Sequence, residues 1–451
     1  SNEELKWDLD YLLSVWEAIK QVVVKRASPF LVYQEGSAVV RAVRDHFSNE
    51  IGEVLIDDPS IYEEARDFVG RVMPHNLNKV KFYEDAVSIA KDQEIDLVIE
   101  LIGGETGIAK ELCETSLRNH KGLITANKAL VANSGHVLAD MAEKNNLFFA
   151  FEASVAGGIP ILKIVRESLA ANKINRMAGI LNGTANYILS EMENTKGDFN
   201  IILKDAQDKG FAEQDPSFDI DGIDAAHKIS ILSAIAFGKL PSIDSMEIKG
   251  IRNIRSNDMD YCEELGFKIR LLGVASETKN KQLNCSVQPW LVPNNNTLAS
   301  VMGPMNAIEI NSNLTGPVLI TGAGAGSGPT ASAVLSDVID FAAGRKSLSF
   351  SRSAANIIVS KKATSFEKPT RYYIRLSVVD QSGVLAELTA IFRDYNISIE
   401  SFIQKGISDD KSAQLVILTH STDHDKIKNA SLSINELKIV LAEPICLPIY
   451  E

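Results

Sequence analysis

Between residues 97 and 151, short apolar runs alternate with helix-like stretches, and this alternation restricts the possible fold more than any other feature of the chain. In chain order these segments are Leu97–Ile102, Ile108–Arg118, Leu123–Thr125, Gly135–Lys144 and Leu147–Phe151. Apolar strands that alternate with helices predict a parallel sheet that is covered on both faces. Ligands of such sheets bind beyond the carboxyl ends of the strands, where Gly103, Lys128 and Glu152 stand.

The composition indicates an ordinary globular protein with several domains. The chain has 451 residues, of which 23 % are charged and 45 % are hydrophobic, and a single core rarely grows beyond about 250 residues. The formal charge of −13 opposes binding to nucleic acid, since phosphate contacts need clustered Lys and Arg.

The cysteines and the apolar runs exclude further classes. The four cysteines are far apart and form no CxxC pattern, so neither a zinc site nor a disulfide framework is expected. No run approaches 18 uninterrupted apolar residues, and the first residues are acidic. We therefore expect a cytoplasmic protein that neither crosses nor binds a membrane.

The remainder of the chain predicts two further domains. Residues 153–346 mix helices such as Ile159–Ala171 and Ile223–Phe237 with antiparallel strands such as Ile269–Ala275 and Leu283–Val292, which indicates an α+β substrate and oligomerisation domain. Residues 347–370 are polar and predict a linker. Residues 371–451 show the order βαββαβ, which is typical of a ferredoxin-like fold.

Acidic residues crowd into a loop that precedes a helix. Glu213, Asp215, Asp219, Asp221 and Asp224 fall within twelve residues, and they would repel one another unless a cation lay among them. Asp224 and Lys228 stand at positions i and i+4 of the helix, a spacing that also occurs in plain surface salt bridges. A substrate ammonium together with Lys228 would provide the cation.

This loop resembles the signature of the homoserine dehydrogenase family, and other motifs follow in the expected order. They are Leu101-Ile-Gly-Gly104, Thr125-Ala-Asn-Lys128, Phe151-Glu152-Ala-Ser-Val-Ala-Gly-Gly-Ile-Pro160, Leu181-Asn-Gly-Thr-Ala-Asn-Tyr187 and Gly322-Ala-Gly-Ala-Gly-Ser-Gly-Pro-Thr330. The resemblance spans about residues 90–345. It implies interconversion of L-homoserine and L-aspartate 4-semialdehyde with NAD(P), in threonine and methionine biosynthesis, by a homo-oligomer such as a dimer or tetramer.

The resemblance also implies roles for single residues. Lys228 would be the proton donor and acceptor, Lys128 a second lysine near nicotinamide and substrate, and Asp224 the residue that orients Lys228. Glu213 and Asp219 would bind the substrate. Contacts with the cofactor are expected from Gly103, Gly104, Lys128, Gly324 and Gly326.

A monovalent-cation site is implied at the end of the third strand. Glu152 and the carbonyl groups of Val155, Gly157 and Ile159 resemble the family's ligands, and oxygen ligands of this kind suit Na⁺. A glycine turn that is capped by a glutamate is the alternative.

The chain lacks one expected element, the glycine-rich loop that holds the cofactor pyrophosphate. No G-x-G-x-x-G pattern precedes Gly103, so the parallel sheet is expected to be a truncated Rossmann-like one and the activity to be strongly reduced. The strand that selects NAD or NADP is absent as well. The run Gly322 to Gly328 is interpreted as a loop at the nicotinamide end.

The segment that precedes the sheet resembles an internal fragment of ribonuclease E/G. Its motifs include Leu31-Val-Tyr-Gln-Glu-Gly36 and Glu53-Val-Leu-Ile-Asp-Asp58, and it predicts helices at Leu9–Val24 and from Ile61 to about Met73. A junction near Asp85 is expected, as a gene fusion, a mis-assembled sequence or a chimera would produce. The five expected segments are 1–85, 86–152, 153–346, 347–370 and 371–451.

The last segment resembles an ACT regulatory domain. Val379-Asp-Gln-Ser-Gly383-Val-Leu-Ala386 matches its first strand-to-helix turn, and Asn396-Ile-Ser-Ile-Glu-Ser-Phe-Ile-Gln404 matches its second strand. The resemblance implies a threonine effector near Gly383, Asn396 and Gln404, with a purely dimerising domain as the alternative. For the whole chain, the competing functions are a catalytically impaired amino-acid-binding oligomer and, opposed by the charge, an RNA-processing protein.

Overall fold

The computed structural model describes residues 54–56, 59–72, 80–83, 85–278, 280–360, 368–405 and 412–451. Most of the ribonuclease-like segment, with the helix predicted at Leu9–Val24, lies outside these residues. The strands are β1 Val54–Ile56, β2 Val80–Phe82, β3 Leu97–Glu100, β4 Gly122–Thr125, β5 Phe149–Ala150, β6 Ile174–Ile180, β7 Lys239–Pro241, β8 Glu247–Ile248, β9 Phe267–Glu277, β10 Leu283–Pro293, β11 Met305–Ser312, β12 Gly316–Ala323, β13 Ile358–Ser360, β14 Tyr372–Val379, β15 Ile399–Lys405, β16 Ser412–Thr419 and β17 Val440–Pro448.

The structure contains the following helices among the described residues. They are α1 Pro59–Val72, α2 Ala86–Ile89, α3 Ile108–Arg118, α4 Lys128–Lys144, α5 Ile161–Lys163, α6 Gly183–Thr195, α7 Phe199–Asp208, α8 Ser217–Ile220, α9 Ile223–Phe237, α10 Ser256–Leu265, α11 Ser327–Ala342, α12 Val384–Asp394 and α13 His424–Asn435. Across the described ranges, none of them combines the length and the apolar character that a bilayer crossing requires.

The chain divides into two compact units. The first comprises Ser1–Asn127, Met141–Ala153 and Gly326–Lys346, and the second comprises Lys128–Asp140, Ser154–Ala325 and Ser347–Glu451. Helix α11 belongs to the first unit although it lies far along the chain. Its residue Val334 is buried with Ile124 and Ala150, because an apolar helix face is stable only against another apolar surface.

In the first unit, β3, β4 and β5 form the parallel sheet that the sequence predicted. Leu97 pairs with Gly122, and Leu123 pairs with Phe149. Strands β1 and β2 form a separate parallel pair. The α/β class is confirmed, and the carboxyl end of β3 leads directly to the glycine pair at 103 and 104.

In the second unit, a six-stranded sheet has the order β12-β11-β6-β9-β10-β8. Strands β9 and β10 pair antiparallel along eleven residues, in agreement with the predicted α+β domain. Helix α9 is buried along nearly its whole length, so it forms the centre of this unit rather than an amphipathic cover.

Two predicted helix boundaries are wrong, for local reasons. Helix α4 begins at Lys128 rather than near Gly135. Gly135 marks a close contact inside the helix and not its start, because a Cβ at this position would come within 3.1 Å of the Phe350 ring. The helix predicted at Ile159–Ala171 begins after Pro160 and continues as a π-helix, Ile164–Ser168. Within the predicted linker, β13 pairs with β7, so this polar stretch contributes a strand.

The last segment folds as a four-stranded antiparallel sheet with two helices. The order β15-β16-β14-β17 is the ferredoxin-like arrangement that the element order predicted. This ACT sheet is also attached to the rest of the second unit. Tyr450 donates its backbone N–H to the carbonyl of Leu291 at 2.8 Å and its hydroxyl to Glu309 at 2.7 Å.

A second attachment is an ion pair between His424 and Glu247. The atoms His424 Nε2 and Glu247 Oε2 are 2.9 Å apart, and Nδ1 of the same imidazole lies 3.0 Å from the hydroxyl of Tyr372. Burial acts to raise the pKa of Glu247, but the hydrogen bond to His424 and the charge of Lys249 outweigh it and lower this pKa to about 2. The carboxylate therefore stabilises the attachment while it is ionised.

Glu247→Gln is expected to destabilise the chain by about 2 kcal/mol near pH 6, the contribution of a hydrogen bond to a charged group. A lowered carboxyl pKa contributes stability that is present above the unfolded value and lost as pH falls. The difference from the unmodified chain should therefore shrink as pH falls from about 4.5 to about 2. Thermal unfolding at several pH values measures this. Glu436→Gln, at an exposed site of the ACT segment, should show no such dependence, and a pH-independent difference for Glu247→Gln would contradict the prediction.

Candidate active site

Lys228 occupies a buried position in helix α9. Only 7 % of it is exposed, and its ammonium donates to the carbonyl oxygen of Leu181 at 2.7 Å and to Oδ2 of Asp224 at 2.8 Å. Gly222 precedes the helix with a φ of +86°, which lets the chain turn sharply into α9. An ammonium has three donors, so one N–H of Lys228 has no partner among the described residues.

Lys128 reaches the same carboxylate from another helix. Its Nζ lies 2.5 Å from Oδ1 of Asp224 and 5.3 Å from the centre of the Phe218 ring. About a third of its side chain is exposed, whereas Asp224 is buried. Asp224 thus lies between Lys128 and Lys228, the two lysines that the sequence analysis predicted for the site.

The charge state of Asp224 follows from its neighbours. Burial alone would raise its pKa, but the ammonium groups of Lys228 and Lys128 outweigh burial and hold this pKa well below its usual range. The group is therefore a carboxylate at neutral pH. This carboxylate faces both ammonium groups, beside the third donor of Lys228.

Asn182 connects this cluster to the acidic loop, a role that the sequence analysis did not assign. Its amide donates to Oδ1 of Asp219 at 2.7 Å and to Oδ2 of Asp224 at 2.9 Å, while its side-chain oxygen accepts from the N–H of Ala185. It is the N-cap of α6. The Asn-Gly-Thr sequence signalled such a cap, but not the second use of the amide.

The expectation that five carboxylates share one cation is too broad. Asp221 pairs with Arg252, and Asp215 accepts from the backbone N–H of Ser217. Glu213 is exposed, and its backbone carbonyl accepts from the side chain of Gln207. Of the five carboxylates, Asp219 and Asp224 join the lysine cluster. The other three are paired with other groups or are exposed, because an acidic side chain in a loop can be satisfied by other donors or by solvent.

In the first unit, the turn after β3 is fixed by Glu100, a residue that the sequence analysis passed over. This fully buried carboxylate accepts from the backbone N–H groups of Ile102 at 2.7 Å and Gly103 at 2.9 Å, and from the hydroxyl of Thr125. Gly103 and Gly104 both have φ of +85°, and a Cβ on Gly103 would meet nothing within 4 Å. The turn is therefore rigid and open, as a surface approached by a ligand must be.

The glycine run after β12 approaches other groups closely. A Cβ on Gly324 would lie 2.1 Å from Cγ of Asn306, and the carbonyls of Gly324 and Ala323 accept from the N–H groups of Gly157 and Gly158. Gly326 has a φ of +113°. Gly324 is therefore needed because any side chain there would overlap that of Asn306, and the run is compatible with a loop interpretation.

The residues predicted for a monovalent cation fall in both units. Glu152 belongs to the first, where its N–H donates to Asp337 at 2.9 Å, and Val155, Gly157 and Ile159 belong to the second, where they are largely buried. Ala156 has a φ of +48°, a conformation that non-glycine residues adopt at some cost. Within the described ranges, no group of three or more His, Cys, Asp or Glu side chains is arranged to hold a metal ion.

The ACT domain contains a cavity of about 180 Å³ at the turn between β14 and α12. Gly383 and Gln404 line it, together with Asp380, Ser382 and Ala413. Asn396, which the sequence placed with them, lies at the end of α12 with a φ of +53° and is not part of the lining. The site thus contains two of the three regulatory residues that were predicted.

Comparisons with known proteins match this architecture. The family model described as homoserine dehydrogenase matches residues 160–339, and the ACT domain model matches residues 372–437. A homoserine dehydrogenase of Neisseria gonorrhoeae is 44 % identical over 411 residues, which cover 90 % of this chain and 93 % of that protein. The chain belongs to the homoserine dehydrogenase family.

Further relatives of this homoserine dehydrogenase family member include a protein of Helicobacter pylori, 37 % identical over 91 % of this chain and 95 % of that protein. A crystal structure of a homoserine dehydrogenase from Thiobacillus denitrificans has a TM-score of 0.80 at 36 % identity, covering 92 % of this chain and 95 % of the other. The resemblance and the fold class are thereby confirmed.

Two other matches concern the cofactor and the first residues. A hyperthermophilic archaeal homoserine dehydrogenase, solved in complex with NADPH, has a TM-score of 0.56 at 25 % identity and covers 69 % of this chain and 95 % of that one. The ribonuclease E/G family model matches residues 1–106. This agrees with the resemblance stated for about residues 1–85, a segment that lies mostly outside the described ranges.

Proposed function

We propose that the chain catalyses the NAD(P)-dependent interconversion of L-homoserine and L-aspartate 4-semialdehyde, as a step in threonine and methionine biosynthesis. The observation that carries this proposal is the unused donor of Lys228, held beside Asp224 and Lys128. A reduced carbonyl needs a proton at its developing alkoxide, and this ammonium is positioned to deliver one.

We propose a separate role for each of these residues. Lys228 moves a proton to and from the substrate oxygen, and Asp224 holds Lys228 in place while Lys128 adds positive charge. Asp219, fixed by Asn182, binds the substrate ammonium together with Glu213. NAD(P), when bound, supplies or accepts the hydride; we propose contacts from Gly103 and Gly104 in the first unit.

The other proposed cofactor contacts are Lys128 and Gly324, which belong to the second unit, and Gly326, which belongs to the first. Glu152, Val155, Gly157 and Ile159 would hold Na⁺ or a similar ion. The regulatory proposal is that L-threonine binds the ACT cavity near Gly383 and Gln404. Assembly as a dimer or tetramer in the cytoplasm remains a prediction.

The test is NADPH oxidation by the full-length chain with L-aspartate 4-semialdehyde. We expect turnover well below the roughly 10 s⁻¹ of a median enzyme, because no glycine-rich pyrophosphate loop precedes Gly103 in the sequence. NADPH binding is measured alongside by calorimetry. Absence of both turnover and binding would overturn the proposal.

The same sequence feature favours a second candidate, an amino-acid-binding oligomer with impaired catalysis. In that case L-threonine would raise the melting temperature while NADPH would leave it unchanged, since only a ligand that binds the folded state stabilises it. A rise with NADPH would exclude this candidate.

A further inference from the structure

The short helix α8, which carries Asp219, is held by a neighbouring segment of the chain, residues 250–258. The guanidinium of Arg252 forms two hydrogen bonds with the carboxylate of Asp221, at 2.5 and 2.9 Å, and a third with the hydroxyl of Ser217 at 2.8 Å. The N–H of Ile251 donates to the carbonyl of Ile220 at 2.8 Å. Both ends of α8 are therefore bound to one segment.

The close approach of this segment is built into its sequence. A Cβ on Gly250 would lie 2.2 Å from the carbonyl oxygen of Ile220, so any residue other than glycine would push α8 away. A bidentate guanidinium–carboxylate pair fixes orientation as well as distance. The position of Asp219 thus depends on where segment 250–258 lies.

The ACT domain holds the other end of the same segment. Arg375, on β14, donates to the carbonyl of Asn253 at 3.0 Å and to Oδ1 of Asp258 at 2.7 Å, and the hydroxyl of Tyr373 donates to the same carboxylate at 2.8 Å. Asp258 is fully buried and Arg375 is 4 % exposed. Asn253 directly follows Arg252 in the chain. Arg375 of the ACT sheet therefore binds the residue next to the arginine that holds α8.

Strand β14 also forms a wall of the ACT cavity. Its last residues, Val378 and Val379, line the cavity together with the turn that follows. Arg375 precedes Val379 by four positions, about 14 Å along an extended strand. A ligand that shifts the end of β14 therefore acts on the strand that carries Arg375.

We propose that Arg252 is a positioning residue for the substrate-binding loop and that Arg375, through Asn253 and Asp258, connects this residue to the amino-acid cavity of the ACT domain. The connection rests on the proposed function, since it concerns the substrate that Asp219 binds and the effector that the cavity takes. Such a connection is demonstrated when one element responds to both sites, and the element to be measured here is α8 with the residues that follow it. The alternative is that Asp258 and Arg375 only attach the domain.

The first arm of the test uses Arg252→Ala and Arg252→Lys in the full-length chain. We expect Arg252→Ala to raise KM for L-homoserine about tenfold with a smaller change in kcat and no change in KM for the cofactor, because α8 is displaced while Lys228 is not. Arg252→Lys keeps the charge and should restore part of the loss. The control is Arg393→Ala, whose guanidinium pairs with the exposed Asp394 at the surface.

The second arm measures hydrogen exchange at the amides of residues 217–222, which needs no turnover. Saturating L-threonine should change this exchange severalfold in the unmodified chain and leave it unchanged in Arg375→Met. Tyr373→Phe removes the hydrogen bond to Asp258 and keeps the Arg375–Asp258 ion pair, so it should weaken the change in exchange that L-threonine causes. This variant replaces Arg375→Met if the latter does not fold.

The outcomes separate this proposal from the proposed function. A chain without turnover whose exchange at 217–222 still responds to L-threonine through Arg375 supports the connection and refutes the catalytic function. An active chain in which Arg252→Ala leaves KM for L-homoserine unchanged, or in which exchange at 217–222 ignores L-threonine, refutes the connection alone. Calorimetry of L-threonine confirms in each variant that the cavity still binds.

Discussion

Lys228→Ala is expected to lower kcat by about 10²- to 10⁴-fold, the usual contribution of a positioned general acid or base. The substitution removes the ammonium whose third N–H, beside those donated to Leu181 and Asp224, has no partner among the described residues. The substitution leaves the proposed cofactor contacts Gly103, Gly104 and Gly324 unchanged, and Lys128 keeps its partner Asp224, so binding of NADPH should persist. Steady-state kinetics with L-aspartate 4-semialdehyde, and calorimetry with NADPH, measure the two effects.

Lys209→Ala is the matched control for this variant. Lys209 also lies four residues after an aspartate and 2.8 Å from it, but both groups of that pair are exposed. Its removal should change kcat less than twofold. If Lys228→Ala retained most of its activity while remaining folded by circular dichroism, a different residue would have to supply the proton.

The parallel sheet and the ACT domain could be predicted because each depends on local patterns. Apolar runs that alternate with helices specify β3, β4 and β5, and the helices Ile108–Arg118 and Ile223–Phe237 are observed with the predicted ends. Helix α11 packs against the parallel sheet although it lies within the segment 153–346 of the sequence. Its packing against β4 depends on a contact between residues about 200 positions apart, which periodicity does not encode.

The site was predictable to the extent that its motifs are contiguous. Lys228 and Asp224 share one helical turn, so their pairing follows from spacing alone. The arrival of Lys128 and Asn182 at the same carboxylate requires the tertiary fold. Spacing also misled, because Asp221 stands closer to Asp219 in the sequence than Asp224 does, yet it pairs with Arg252, thirty-one residues further along.

Buried polar anchors were the hardest residues to find. Glu100 and Asp258 carry no motif of their own, and single carboxylates in a strand or helix are usually exposed. Each becomes recognisable only when its donors are seen, the turn amides for Glu100 and the pair Tyr373 and Arg375 for Asp258. Such residues fix the surrounding chain through hydrogen bonds that no local sequence pattern announces.

Asp224→Asn is expected to reduce kcat/KM for L-homoserine by about 10³-fold and to lower the stability of the chain. The amide keeps the shape of the side chain but leaves two ammonium groups without their shared anion. Breaking a buried ion pair costs about 3–5 kcal/mol, and the value here should lie at the lower end because Lys128 is about a third exposed. Urea unfolding and steady-state kinetics give both quantities.

The pH dependence identifies the cause of this effect. Because the pKa of Asp224 is lowered in the folded chain, its stabilisation is present above the unfolded value of about 3.9 and is lost as pH falls below it. The stability difference between the unmodified chain and Asp224→Asn should therefore be full at pH 5–7 and shrink below about pH 4. Asp205→Asn, which removes the exposed pair with Lys209, should show little effect at any pH. A difference for Asp224→Asn that persisted at low pH would mean that shape and packing, rather than the charge shared by Lys128 and Lys228, hold this cluster together.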